Sequence, residues 1–445
     1  MTGKDVGHIL EILTKLEKTD KKEPELFKDL KQSYVFLDEQ EKGSLFTAIV
    51  DQIEIPKNEI QPLIASLAGS EDDDARWSSL FSELRRHLYS PRLQIFRKIS
   101  RIPGGLKFLL DFRGDLLALQ RRIEADLTPL QSDLFILFEQ WFQDGFLYLE
   151  EINLDSSYRQ IDLIKASDLV HPMTSIEEMG QRLGKDRRCF ALYHRLIPYE
   201  PIIFIEVALT EGIVRSINKI IGVDAAQIEQ KSADTAIFYS INNTQNGLAG
   251  LGLGRMLIGQ VVDYIKKENE QIKRFATLSP IPGFWRSYLQ PILDGNDKSF
   301  KLKPSDIPGF FSKKQRERIL EERNDQHQDH SAFNGVLAEI LSGDQWINDE
   351  DLTRELREPL VKIAFHYIDQ EKDSRNRPLN AVANFHLGNG AMISIKDVNY
   401  LANTSSRGLK ESCGMMVNYI YTPSWLNQVR KSLRWFEMIN IFTRS

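Results

Sequence analysis

Three groups of residues in this 445-residue chain have types and spacings suited to chemistry. The first is a glycine-spaced turn, Gly247-Leu248-Ala249-Gly250-Leu251-Gly252-Leu253-Gly254-Arg255, between an apolar run and an amphipathic one. Small residues just ahead of a helix let backbone N–H groups approach a phosphate, where the helix dipole also favours negative charge. Arg255 adds a cation, so Ala249, Gly250, Leu251, Gly252, Leu253, Gly254 and Arg255 form a candidate phosphate cradle. The spacing alone suits a structural β-bulge equally well, and it does not distinguish a dinucleotide turn from other cradles. The second group is Ser279, in Leu278-Ser279-Pro280-Ile281-Pro282-Gly283. Serine before proline is commonly a turn former, and without a G-x-S-x-G elbow no hydrolase nucleophile is indicated. The third is His386, in Asn384-Phe385-His386-Leu387-Gly388, which reads as an alternating strand running into a turn. Histidine exchanges protons near neutral pH, although a lone strand histidine is more often a buried core residue. His327 and His330 superficially resemble metal ligands, but no third candidate accompanies them and a surface helix end or loop explains them better.

The elements that must position these residues are legible in outline. Thr235–Trp285 parses as strand, glycine turn, amphipathic helix, second strand and a proline-rich corner. Strand–helix–strand is a parallel crossover, which is right-handed. It brings the end of the second strand, and with it Ser279, near the start of the helix, where open α/β sheets bind ligands.

Before that unit the texture is helical. Val6, Ile9, Leu10, Leu13 and Leu16 make one apolar stripe, and Gln61–Leu67, Trp77–Leu88, Arg92–Ile99, Leu106–Ala125 and Asp133–Trp141 continue the pattern. The acidic run Glu71-Asp72-Asp73-Asp74 reads as a solvated helix start. Strand-like runs begin near residue 142: Gly145–Leu149, Arg188–His194, Pro201–Leu209, Ala236–Ile241 and Phe275–Leu278, with Ile197–Glu200 as a hairpin connection. Helices return between Asp306 and Glu358. Ala381–Leu387, Ala391–Ile395 and Met416–Tyr421 read as further strands. The fold class expected is α+β and multidomain: an all-α helical domain over residues 1–141, then a mixed α/β domain over 142–445.

Bulk properties narrow the partners. Hydrophobic content of 42% and charged content of 27% are those of a soluble globular protein. A net charge of −6 argues against nucleic acid. Two cysteines, Cys189 and Cys413, give neither a disulfide framework nor a thiolate metal site. Apolar runs are too short to cross a membrane, and the acidic N-terminal stretch speaks against a mitochondrial presequence. A cytoplasmic protein with no metal is the expectation.

The motifs together resemble the malonyl-CoA decarboxylase family. The resemblance runs through SPRLQIFRKISRIPGGLKFLLDFRGDLL, WFQDGFLYLE, HPMTSIEEMGQRLGKDRRCFALYH, EVALTEGI, TAIFYSINNTQNGL, LSPIPGF, NFHLGNGA and SRGLKESCGMMVNYIY, in the family's order. It implies a helical domain, which suits homo-oligomerisation, followed by a catalytic domain of the GNAT acyltransferase fold. It also implies conversion of malonyl-CoA to acetyl-CoA and carbon dioxide. Ser279 and His386 are implied to be catalytic, Ala249–Arg255 to bind CoA, and Tyr421, closing the NYxY motif, to lie in the active site. Gly252 departs from the glutamate expected in the animal enzymes, so no role of that glutamate carries over. The thioester can itself delocalise the charge left by departing carbon dioxide, so no biotin or metal cofactor is expected. Ser279 would then hydrogen-bond the carboxylate or the developing oxyanion, and His386 would protonate the α-carbon, with the division of roles open. A CoA-dependent acyltransferase and a non-catalytic acyl-CoA sensor are the alternatives.

Overall fold

The computed structural model describes residues 6–18, 22–54, 57–70, 73–87, 90–173, 175–221, 232–296, 299–321 and 330–422. The chain divides into two compact units. One comprises Met1–Glu150, Leu192–Ile203 and Asn243–Leu253; the other comprises Glu151–Ala191, Phe204–Asn242 and Gly254–Ser445.

The first unit is mainly helical. Its helices are Val6–Lys18, Glu23–Val35, Glu39–Gln52, Lys57–Ala68, Asp74–His87, Pro91–Arg101, Gly105–Leu119 and Thr128–Trp141. Asp38 and Glu41 form a reciprocal capping box. Ser90 caps the next-but-two helix ahead of Pro91, whose missing N–H costs nothing at a first helical position. Phe27, Tyr34, Phe46, Phe96, Phe108 and Phe112 then interlock, with ring centroids 5.0–6.1 Å apart and several pairs edge-on. Buried Arg92 and Asp133 pair at 2.8 Å in the same unit.

The strands are β1 (Leu147–Ile152), β2 (Arg187–His194), β3 (Ile197–Thr210), β4 (Thr235–Asn243), β5 (Arg274–Thr277), β6 (Ser279–Pro280), β7 (Val398–Asn399), β8 (Met416–Val417) and β9 (Ile420–Tyr421). Six form one sheet in the order β1-β2-β3-β4-β5-β9, and three form a second in the order β6-β8-β7. β2 and the later part of β3 are buried along their whole length, the mark of a sheet covered on both faces. β4 and β5 run parallel, from Thr235 opposite Arg274 to Phe238 opposite Thr277, joined by helix Leu253–Glu268 as expected of the crossover.

Four segments differ from the expectations drawn from pattern. Ala381–Leu387, read as a strand, is helical, within Ala381–Gly388. Its apolar run is short enough to satisfy either period, and the Asn380 side chain decides by capping the Ala383 N–H at 2.9 Å. Ala391–Ile395 contributes only an isolated bridge between Met392 and Ile420. Met416–Tyr421 is two short strands in different sheets. Ile197–Glu200 is not a connection but the start of β3. Cys189 and Cys413 are buried free thiols.

Candidate active site

Ser279 lies where the chain changes sheets. β5 ends at Thr277, pairs antiparallel with β9, and yields to β6, whose Ser279 faces Val417 of β8. The fork is held from both sides: Leu278 N–H donates to the Phe238 carbonyl at 2.9 Å and Thr277 N–H to the Tyr419 carbonyl at 2.9 Å. Asn418 adds a third tie, donating to the Thr277 carbonyl at 2.6 Å. Ser279 therefore sits on backbone with few alternatives, which suits a reacting group.

His386 arrives from the 381–388 helix. Its Nε2 is 3.2 Å from Ser279 Oγ, and its Nδ1 is 2.9 Å from the Tyr421 hydroxyl. Ser279 donates in turn to Thr277 Oγ1 at 2.9 Å, an oxygen that also accepts the Tyr419 N–H at 3.0 Å. These bonds are mutually consistent when the imidazole proton is on Nε2, pointing at Ser279, and Nδ1 accepts from the Tyr421 phenol; the proton is assigned by its partners. All three side chains are buried, Ser279 at 6%, His386 at 4% and Tyr421 at 2% exposure. Burial pushes the His386 imidazole down to about 3 and raises the Tyr421 phenol. At neutral pH the ring is a neutral imidazole and the phenol stays protonated.

This chain of bonds differs from a nucleophile–base–carboxylate triad in its third member. A carboxylate would accept an N–H and stabilise imidazolium. A phenol that donates to Nδ1 stabilises the neutral ring instead, leaving Nε2–H as a hydrogen-bond and proton donor, the use of a neutral histidine known from other active sites. The arrangement suits polarising or protonating a substrate better than activating Ser279 for attack.

Sequence reasoning missed Tyr419. Its ring stacks on His386, centroids 4.6 Å apart, and its buried hydroxyl has no hydrogen-bond partner among the described residues. The NYxY motif contained it, but only the fold shows that both tyrosines touch the histidine.

The glycines of the candidate cradle divide into two kinds. Gly250 (φ +88°) and Gly252 (φ +69°) have left-handed backbone, with nothing within 4 Å of where a Cβ would stand. Gly247 and Gly254 are required by close approach: a Cβ would lie 2.0 Å from the Leu110 carbonyl oxygen at Gly247 and 2.3 Å from the Phe385 ring at Gly254. Arg113, another residue that pattern did not flag, ties the turn from below by donating to the carbonyls of Gly247 and Ala249. Behind the turn, helix Leu253–Glu268 carries no acidic residue in its first turn, and Arg255 is exposed there. Its unpaired N–H groups and dipole are those an anion needs. Of the two HQDH histidines, His327 lies outside the described residues and His330 opens helix His330–Ser342.

Comparison with known proteins places the chain in a family. The sequence profile of the malonyl-CoA decarboxylase C-terminal domain matches residues 145–434, and that of its N-terminal domain matches residues 57–142. The chain belongs to the malonyl-CoA decarboxylase family. Among curated relatives, the mitochondrial malonyl-CoA decarboxylase of Anser anser anser is 37% identical over 343 residues, covering 76% of this chain and 65% of that protein. The Rattus norvegicus protein of the same name is 34% identical over 342 residues, covering 76% of this chain and 66% of its own length. The chain thus matches slightly under two thirds of the length of these relatives. Two solved malonyl-CoA decarboxylases share the fold. That of Rhodopseudomonas palustris has a TM-score of 0.77 at 29% identity, with 96% of each chain covered. That of Agrobacterium vitis has 0.78 at 27%, covering 96% of this chain and 95% of the other. No described helix is long and apolar enough to cross a membrane.

Proposed function

We propose that this chain decarboxylates malonyl-CoA to acetyl-CoA and carbon dioxide, with Ser279 and His386 as the catalytic pair and Tyr421 orienting the histidine. The observation that carries the reading is the buried Ser279–His386–Tyr421 chain of hydrogen bonds, met in a member of this family. The Ala249–Arg255 turn binds the CoA diphosphate.

In the reaction the bond between the α-carbon and the carboxylate carbon breaks, and carbon dioxide leaves. The electron pair passes into the thioester carbonyl as an enolate. Ser279, rotated away from Thr277, donates to the developing oxyanion, a kind of contact whose removal costs about 10²–10³ in rate. The Nε2–H of His386 passes its proton to the α-carbon, completing acetyl-CoA, and the proton is replaced from solvent. Proton delivery of this kind is worth roughly 10²–10⁴. The thioester carbonyl serves as the electron sink, so the reading needs neither biotin nor a metal.

The test is to incubate the purified chain, dialysed against EDTA, with malonyl-CoA and to measure acetyl-CoA and released carbon dioxide. Stoichiometric appearance of both is expected, with loss of most turnover and retained CoA binding in Ser279→Ala and His386→Asn. Absence of product from the wild-type chain would sink the reading; near-normal turnover by His386→Asn would remove the histidine from it.

A further inference from the structure

We infer that Asn380 is a positioning residue that sets the Ser279–His386 separation by clamping the Pro282 carbonyl to the first turn of the helix carrying His386. The inference rests on the decarboxylase reading for its turnover measurement. Asn380 is almost wholly buried, at 1% exposure. Its Nδ2 donates to the Pro282 carbonyl at 3.0 Å, while its Oδ1 accepts the Ala383 N–H at 2.9 Å. Pro282 stands three residues beyond Ser279 in the Leu278–Gly283 corner, and Ala383 three residues before His386 in the helix. One planar amide thus joins the two segments whose side chains meet at 3.2 Å.

The surroundings make the clamp specific. The Tyr367 hydroxyl reaches the same Pro282 carbonyl, at 3.5 Å, so the oxygen is gripped from two directions. Immediately after it, Gly283 turns through positive φ (+73°) and the chain enters the π-helical turn Phe284–Leu289, a rare geometry that frequently accompanies functional sites. At the other end, the 381–388 helix is only eight residues long. Isolated helices of that length do not persist, so its position is set by its cap and packing. The donor–acceptor requirement selects asparagine. Aspartate and serine cap a helix about as well, but an ionised aspartate has no proton to offer the Pro282 carbonyl, and serine has a single hydroxyl on a shorter side chain in place of the amide's separate donor and acceptor atoms.

The prediction is that Asn380→Asp and Asn380→Ser keep the helix cap but release the corner. Both should lower kcat for malonyl-CoA by about 10²-fold, the cost of roughly 1 Å of misplacement between reacting groups, with KM changed less than about threefold because no substrate contact is removed. The second measurement is the ¹⁵N spectrum of histidine-labelled protein, with the His386 signals assigned by their loss in His386→Gln. In both variants the Nε2 signal should move and its proton should exchange faster. Unmoved His386 signals would overturn the inference, as would moved signals with kcat within twofold of wild type. Should the wild-type chain release no carbon dioxide, the decarboxylase reading fails, and the ring signals still decide the clamp.

Discussion

Substituting Gly254 by alanine tests whether the packing around His386 is as tight as the structure requires. A Cβ at Gly254 would meet two Phe385 ring carbons at 2.3 and 2.4 Å. Carbon atoms prefer about 3.5–4.0 Å, so the ring must retreat by more than about 1 Å. Overfilling a packed site costs about 1–3 kcal/mol, and each kcal/mol lowers Tm by about 2–4 °C in a domain of this size. Phe385 precedes His386 in the same short helix, and the Ser279–His386 contact is already 3.2 Å long. A comparable shift would carry that contact beyond hydrogen-bonding range, with a loss of up to about 10² in kcat. The assay pairs thermal unfolding with steady-state acetyl-CoA formation for Gly254→Ala, Phe385→Leu and the double variant. Relief of the clash should make the double variant more stable than the sum of its singles predicts, by about 1–3 kcal/mol. Gly252→Ala is the control: its positive φ of +69° strains any side chain, but open space surrounds it. It should cost about 1–2 kcal/mol, and replacing Phe385 should not rescue it. Wild-type Tm and turnover in Gly254→Ala, or a strictly additive double variant, would refute the packing argument.

Further outcomes follow from the same structure. Tyr421→Phe removes the donor to His386 Nδ1; it should cost about 1–3 kcal/mol by leaving a buried acceptor unpaired and should depress kcat more than KM, as read from unfolding and steady-state kinetics. The buried histidines should contribute a loss of stability on acidification, against an opposite contribution from Glu206, which burial raises to about 8. Burial pushes His386 down to about 3 and His171 to about 4 in the folded chain. Above about pH 6.5 both are neutral folded or unfolded and contribute no slope. Between about pH 6.5 and 4 the unfolded chain takes up protons that the folded chain refuses, and each histidine removes up to about 1.4 kcal/mol per pH unit. Urea unfolding at pH 7 and pH 5 should show that slope, reduced in His171→Gln; equal slopes would contradict the assignment. Arg182 pairs with Asp168 at 3.1 Å and lies 3.8 Å from Glu206, all three buried. Arg182→Leu should therefore cost about 3–5 kcal/mol by stranding buried acids, a loss that chemical denaturation would register.

The sequence by itself determined the local grammar of this protein. Stripes at helical spacing marked the N-terminal helices, and the Thr235–Ser279 run carried its strand, turn, helix and strand in order, because periodicity records which face of an element meets the core. It also singled out Ser279, His386 and the glycine turn, since their chemistry belongs to residue type. Only the tertiary structure decided what these residues do to one another. Ser279 and His386 lie 107 positions apart, and His386 and Tyr421 35 apart. No local period encodes such meetings. His386 itself sits on a helix that an eight-residue apolar stretch could not declare, because a side-chain cap on Asn380 tips a balance that alternation leaves even. The glycines show the same division. Four look alike in the sequence, yet two serve left-handed backbone and two make room for Leu110 and Phe385. Composition shows that a side chain is missing there; packing alone shows what occupies its place.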